Sequence, residues 1–197
     1  MSLASVTNGL TPASIVWGLW IVFALYWTVA AVRRKRTKRR DTVAQRLGYL
    51  LPLIAAFLFL SQPITERGWL AAYLYADSAL IEWSGVALVA TGIAICFWAR
   101  WHLGANWSGT VTLKENHELI RSGPYRAIRH PIYTGILLAL LGTAIQIGQV
   151  RGFVAVLFAL GSFYFKARRE ESFLSQEFGE RFAEHTKQTG MFLPRFS

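Results

Sequence analysis

Apolar residues along this chain gather into long unbroken blocks, and the charged residues fall in clusters between them. The first block, Ile15 to Val32, carries no charge and stops at the basic run Arg33 to Arg40. A second runs from Leu47 to Ser61 and contains Pro52, which removes a backbone donor and predicts a kink. A third spans Ala79 to Trp98, with Arg100 just past its end. A fourth covers Ile132 to Gln149. A fifth, Phe153 to Phe165, is short and is carried on helically through Lys166, whose long stem snorkels. Arg151-Gly152 predicts a tight return, so the last two blocks form a helical hairpin. An apolar block of about 18 residues crosses a hydrocarbon layer of roughly 30 Å as a helix, where no water reaches the backbone. No ten-residue alternation suggests a barrel. The pattern therefore predicts an all-α integral membrane protein with about five transmembrane helices.

Between the second and third blocks, Thr65 to Asp77 is mixed, and Trp69, Tyr73 and Tyr75 suit a headgroup-level segment. The chain reads as one membrane domain, with N-terminal spans in residues 1–99 and the chemistry in residues 100–197. Met1 to Pro12 lacks the basic stretch of a cleavable signal.

Composition adds little to this, because 53% hydrophobic residues is close to an ordinary soluble domain. The net charge of +10 changes the picture more, through its placement. Eight Lys and Arg follow the first block, five lie between Arg100 and Arg129, and six follow from Lys166. Together they make 19 of the 21, all on one side if the spans alternate, with Arg67 and Arg151 on the other. The positive-inside rule puts the N-terminus outside and the C-terminus in the cytoplasm. The same placement argues against nucleic acid as a partner. Arg33 to Arg40 reads as a topology signal in contact with anionic membrane lipids. Cys96 is the single cysteine and lies inside an apolar block. The four histidines have no metal-ligand spacing, so no metal site is expected.

The remaining reactive side chains flank the hairpin. Gly123-Pro124 forces a turn, and Pro131 suits the first turn of a helix, where its missing N–H costs little. Arg129 and His130 thus sit at the N-terminal mouth of a membrane helix, which favours anionic groups. Glu170 and Glu171 lie past the end of the fifth block, and the hairpin brings them back to Arg129 and His130. Taken singly, Arg129 also reads as an interfacial anchor, His130 as a satisfied interfacial histidine, and the two glutamates as solvated partners of Arg168 or Arg169. No dinucleotide, phosphate-loop or nucleophile-elbow motif is present.

The run Gly123 to Gly135 (GPYRAIRHPIYTG), with His117 to Ile120 before it, resembles the isoprenylcysteine carboxyl methyltransferase family and its prokaryotic relatives. So do Glu170-Glu171, Phe178-Gly179-Glu180 and Pro194, and Trp101 to Gly104 with Trp107-Ser108 is similar to the segment preceding the motif. The resemblance covers Arg100 to Pro194. It implies an S-adenosylmethionine-dependent membrane enzyme with a cytoplasmic cofactor pocket built around the hairpin. By position, His117, Leu119, Ile120, Gly123 and Tyr125 would border the cofactor, and His130, Pro131, Tyr133 and Gly135 would continue its wall. Arg129 and Glu170 match positions implicated in catalysis or substrate placement, with Glu171 the adjacent choice. On this reading Arg129 grips an acceptor carboxylate by a two-pronged contact, and Glu170 either holds Arg129 or binds the cofactor's amino group. The acceptor implied is lipophilic, either a prenylated cysteine or another lipidic molecule. Three other readings stay open. One is a phospholipid amine methyltransferase, and one is a sterol-reductase-type NADPH enzyme with a similar Arg-His-x-x-Tyr-x-Gly segment. The third is a membrane adaptor without catalysis. The oligomeric state is left open.

Overall fold

The computed structural model describes residues 10–30, 37–40, 42–60, 68–107, 112–114 and 118–195. Arg33 to Arg36, Arg67, Ser108 and His117 lie outside the described residues. The helices are α1 (Pro12–Ala30), α2 (Val43–Leu60), α3 (Ala79–Leu103), α4 (Pro131–Ile147), α5 (Val150–Phe178) and α6 (Glu180–Gln188). α1, α2, α3 and α5 are long and apolar enough to cross a membrane, and α4 is a shorter apolar helix of 17 residues. The expected helical membrane architecture is therefore present. One addition is an antiparallel ribbon, in which β1 (Thr37–Arg40) pairs with β2 (Thr112–Lys114). The second half of the basic run is thus a strand.

Helix ends follow local chemistry. α2 starts at Val43, earlier than its apolar block, because Thr42 and Gln45 form a reciprocal cap. The Thr42 N–H donates to Gln45 Oε1 at 3.0 Å, and the Gln45 N–H donates to Thr42 Oγ1 at 3.4 Å. α2 then runs unbroken through Pro52. α4 ends at Gly148, whose φ of 70° suits the residue after a helix. The return into α5 is made there, and Arg151-Gly152 already belong to the first turn of α5.

Two arginines that the charge count assigned to opposite sides of the membrane are buried, at 4% exposure each. Arg100 donates from Nη2 to the Ala30 carbonyl at 2.6 Å, holding the end of α1 against α3. Arg151 donates to the Leu60 carbonyl at 2.8 Å and the Phe59 carbonyl at 3.2 Å, at the end of α2. Each satisfies carbonyls that have no partner inside their own helix.

α4 lies at the centre, between α3 and α5, while α1 packs on α3 and α2 on α5. The seam between α3 and α4 is lined by Gly85, Gly92, Gly135 and Gly142. A methyl group added at Gly85 would stand 2.8 Å from the Gly142 carbonyl oxygen, and one at Gly135 would stand 2.6 Å from Cys96 Sγ. Small residues let backbones approach where hydrophobic attraction between helices is absent. At the far end of α4, residues 72–75 are stitched to the α4–α5 turn by the Leu74 N–H on the Gly148 carbonyl at 2.9 Å and the Val150 N–H on the Ala72 carbonyl at 3.1 Å. Trp69 and Tyr73 there are mostly exposed, as a headgroup-level segment requires. α5 has 29 residues, a length of roughly 44 Å at a rise of 1.5 Å per residue, so its last turns outrun the hydrocarbon layer.

Candidate active site

The N-terminal end of α4 gathers the polar residues. Gly123 turns the chain with a φ of 57°, and a side chain at that position would strike the His102 ring at 2.5 Å. The following turn buries Pro124 and Tyr125. Tyr125 packs with Ala99, Trp107, Ile132 and, partly buried, Ile120. Leu119 is half-buried in the segment before it. Pro131 opens α4 and is fully buried. Gly135, one turn further on, faces α3, where its missing side chain serves the close helix contact.

His130 meets both glutamates, and Arg129 meets one of them. Arg129 Nε donates to Glu171 Oε1 at 2.7 Å. His130 Nε2 is 3.2 Å from the same oxygen, and its Nδ1 is 3.4 Å from Glu170 Oε2. The Tyr133 hydroxyl donates to Glu170 Oε1 at 2.6 Å. Glu171, not Glu170, is thus the partner of Arg129. Arg129 Nη1 is taken up by the Thr189 carbonyl and, at 3.5 Å, by that of Thr186. Only Nη2 makes no hydrogen bond among the described residues, so the two-pronged grip expected of Arg129 is reduced to one nitrogen.

The Tyr133 ring is stacked between His130 and Phe163, with centroids at 5.4 and 4.8 Å and the planes nearly parallel. Such stacking fixes the direction of the hydroxyl. Lys166 lies on the same helix face as Glu170, one turn earlier. Its ammonium sits over the rings of Tyr133 at 5.2 Å and Tyr49 at 5.5 Å. Sequence reading treated Lys166 as a surface anchor, although its four-residue spacing from Glu170 was a usable signal. The tail is the other omission. After α6 it runs back beside the motif, where the Arg129 N–H donates to the Gly190 carbonyl at 2.9 Å and the His130 N–H to the Met191 carbonyl at 3.1 Å. Thr134 Oγ1 donates to the Phe192 carbonyl at 2.7 Å. Nothing in the tail's composition announced this pairing.

Burial disfavours a charged His130, but its hydrogen bonds to Glu170 and Glu171 and their charges outweigh that, holding its pKa above the ordinary value. His185 on α6 moves the other way, lowered by burial and by Arg121 and Arg129. The raised value means that His130 contributes stability in full below about pH 6.5 and loses it as pH rises through its folded pKa. The lowered value means that the His185 contribution holds above about pH 6.5 and fades as pH falls. Melting temperatures in detergent should therefore fall on both sides of neutrality. His130→Gln should flatten the alkaline limb and His185→Gln the acid limb. An unchanged alkaline limb in His130→Gln would show that the imidazole is not charged by its two carboxylates.

Among the described residues no group of His, Cys, Asp and Glu could hold a metal ion.

The sequence profile of the phospholipid methyltransferase family matches residues 80–181. A probable protein-S-isoprenylcysteine O-methyltransferase from Oryza sativa subsp. indica is 28% identical over 159 residues, which cover 79% of this chain and 76% of that protein. Protein-S-isoprenylcysteine O-methyltransferase A of Arabidopsis thaliana is 36% identical over 87 residues, 43% of each chain. The solved structure of the eukaryotic intramembrane Ras methyltransferase, an isoprenylcysteine carboxyl methyltransferase, superposes with a TM-score of 0.51. It shares 19% identity, and the match covers 96% of this chain and 69% of that one, so it speaks for the fold. Helical spans, a polar cluster at one helix mouth and this kinship define an integral membrane methyltransferase. The chain belongs to the phospholipid methyltransferase family, whose profile covers just over half of it. The resemblance carried by Gly123 to Gly135 and by Glu170-Glu171 is thereby confirmed.

Proposed function

We propose that the protein methylates the carboxylate of a lipophilic, isoprenylcysteine-like acceptor, using S-adenosylmethionine. The relatives' names support the acceptor class, and the occupancy of the two glutamates carries the choice of nucleophile. An amine acceptor is protonated at neutral pH and needs a base to free its lone pair. Here Glu170 already accepts from Tyr133 and faces His130, and Glu171 accepts from Arg129 and His130. A carboxylate acceptor needs no base, and Arg129 Nη2 is placed to receive it. Lys166 adds a second cation near Glu170.

The cofactor fits the residues present. Glu170, its side chain 25% exposed against 11% for Glu171, is the carboxylate left to hold the cationic amino group, since Glu171 is committed to Arg129. Ile120, Tyr125 and Trp107 offer an apolar wall for the nucleoside. When bound, the cofactor supplies an electrophilic methyl on a sulfonium, which a carboxylate oxygen accepts with no proton to move. The chain's own work is then positioning and exclusion of water. Arg129 orients the acceptor, Glu171 and the Thr189 carbonyl hold Arg129, and Tyr133 and His130 fix Glu170. The acceptor's lipid portion lies among the helices. The excess of Lys and Arg on one side of the spans supports a site on the cytoplasmic side, with the N-terminus outside.

Calorimetry of the purified protein with S-adenosylhomocysteine and with NADPH tests the cofactor. Binding of the first supports the proposal, binding of NADPH alone points to a reductase, and binding of neither to an adaptor. Labelled methyl transfer into prenylated thiols that carry a carboxylate, set against extracted phospholipids, tests the acceptor. Label released by mild base identifies an ester, whereas base-stable label in amine headgroups overturns the carboxylate.

A further inference from the structure

Asn106 closes a short 3-10 turn, Gly104–Asn106, that follows α3. It is 8% exposed, and its Oδ1 is buried with no hydrogen-bond partner among the described residues. A buried acceptor left unpaired costs as much as a lost hydrogen bond, so native folds seldom keep one unless something else supplies the donor. The turn is not loosely held. Arg100 Nη1 donates to the Gly104 carbonyl at 2.6 Å, and its guanidinium stacks 4.8 Å from the Trp107 ring. Trp107 in turn meets Trp27 edge-on at 5.5 Å. Asn106 is thus fixed next to Trp107, which packs with Tyr125, Ile132 and Ile120.

Charge divides the surroundings of the α4 mouth. The carboxylates come from α5, and the cations beside them are Lys166 and the Arg129-His130 pair. The α3 side offers aromatic and aliphatic surface, with its one cation, Arg100, tied to the Gly104 and Ala30 carbonyls and stacked on Trp107, and with the unsatisfied Asn106 acceptor among the described residues. A ligand with a charged amino-acid end and a flat neutral ring is complementary to that division. We propose that Asn106 Oδ1 accepts a hydrogen bond from the exocyclic amine of an adenine ring lying along the Trp107, Tyr125 and Ile120 wall. This deepens the methyl-donor reading above and rests on it.

The test is calorimetry on the full chain in detergent with two ligands, S-adenosylhomocysteine and its analogue carrying hydrogen in place of the adenine amine. The wild type should bind the analogue about tenfold more weakly, the scale of one hydrogen bond. Asn106→Ala should bind S-adenosylhomocysteine about tenfold more weakly and no longer distinguish the two. Without ligand, Asn106→Ala should melt no lower than the wild type, because the substitution removes an unpaired polar atom; a structural role would lower it. Equal binding of the two ligands by the wild type overturns this proposal alone, whether or not the variant folds. No binding of either ligand by the wild type overturns the methyl-donor reading and this inference with it.

Discussion

Arg129→Ala is expected to abolish methyl transfer, with a loss of at least about a thousandfold, the scale of removing a preorganised polar contact to the reacting group. The guanidinium holds Glu171 through Nε and the Thr189 carbonyl through Nη1, and in the proposed function it also receives the acceptor through Nη2. Alanine breaks all three. It also leaves Glu171, its side chain 11% exposed, with His130 as its remaining partner. Removing one member of a buried ion pair costs about 3–5 kcal/mol, so the single variant is expected to melt early as well. A second substitution separates the two effects. Arg129→Ala with Glu171→Gln removes the uncompensated charge and should restore much of the melting temperature, while turnover stays absent. Arg129→Lys keeps a charge but cannot reproduce the forked contacts, and it should fold with greatly reduced turnover. Methyl transfer retained by a folded Arg129→Ala protein would remove this residue from the chemistry.

The second large effect lies along the central seam. Gly135→Val is expected to prevent a stable folded species from being recovered in detergent. The new Cβ would stand 2.5 Å from the Gly92 carbonyl oxygen and 3.1 Å from the Cys96 backbone nitrogen, which cannot swing away, and 2.6 Å from the Sγ of the buried Cys96. Overpacking a core costs about 1–3 kcal/mol where neighbours yield. Here α3 and α4 would have to separate, which also moves His130 and Tyr133 on the first turn of α4. Gly18→Ala and Gly161→Ala are the matched controls, since a methyl group at either meets nothing within 4 Å. Both should be neutral or slightly stabilising, because alanine is the better helix former. A Gly135→Val protein that melts like the wild type would show that the seam is not close-packed.

Much of this architecture was legible along the chain, for one physical reason. Inside a hydrocarbon layer every backbone group must be satisfied within its own element, so long apolar blocks dictate helices without help from tertiary contacts. Helix boundaries were less legible: the apolar blocks miss the start of α2, set by the Thr42 and Gln45 cap, and the end of α4, set by Gly148, by a few residues each. The hairpin also predicted that Arg129, His130, Glu170 and Glu171 would meet, because a short turn must return α5 alongside α4.

Other features were settled only by packing in three dimensions. Neighbours on a helix point about 100° apart, so the adjacent glutamates share the His130 ring through its two different nitrogens but otherwise reach different groups, and the rotation of α5 against α4 decides which one meets Arg129. That rotation gives Arg129 to Glu171 and Tyr133 to Glu170. Likewise the tail's return to Arg129 and His130, the burial of Arg100 and Arg151 against helix ends, and the unpaired oxygen of Asn106 depend on contacts between segments far apart in sequence. Hydropathy and helix signals are properties of a stretch of chain, whereas the partner of a given polar atom is a property of the assembled fold.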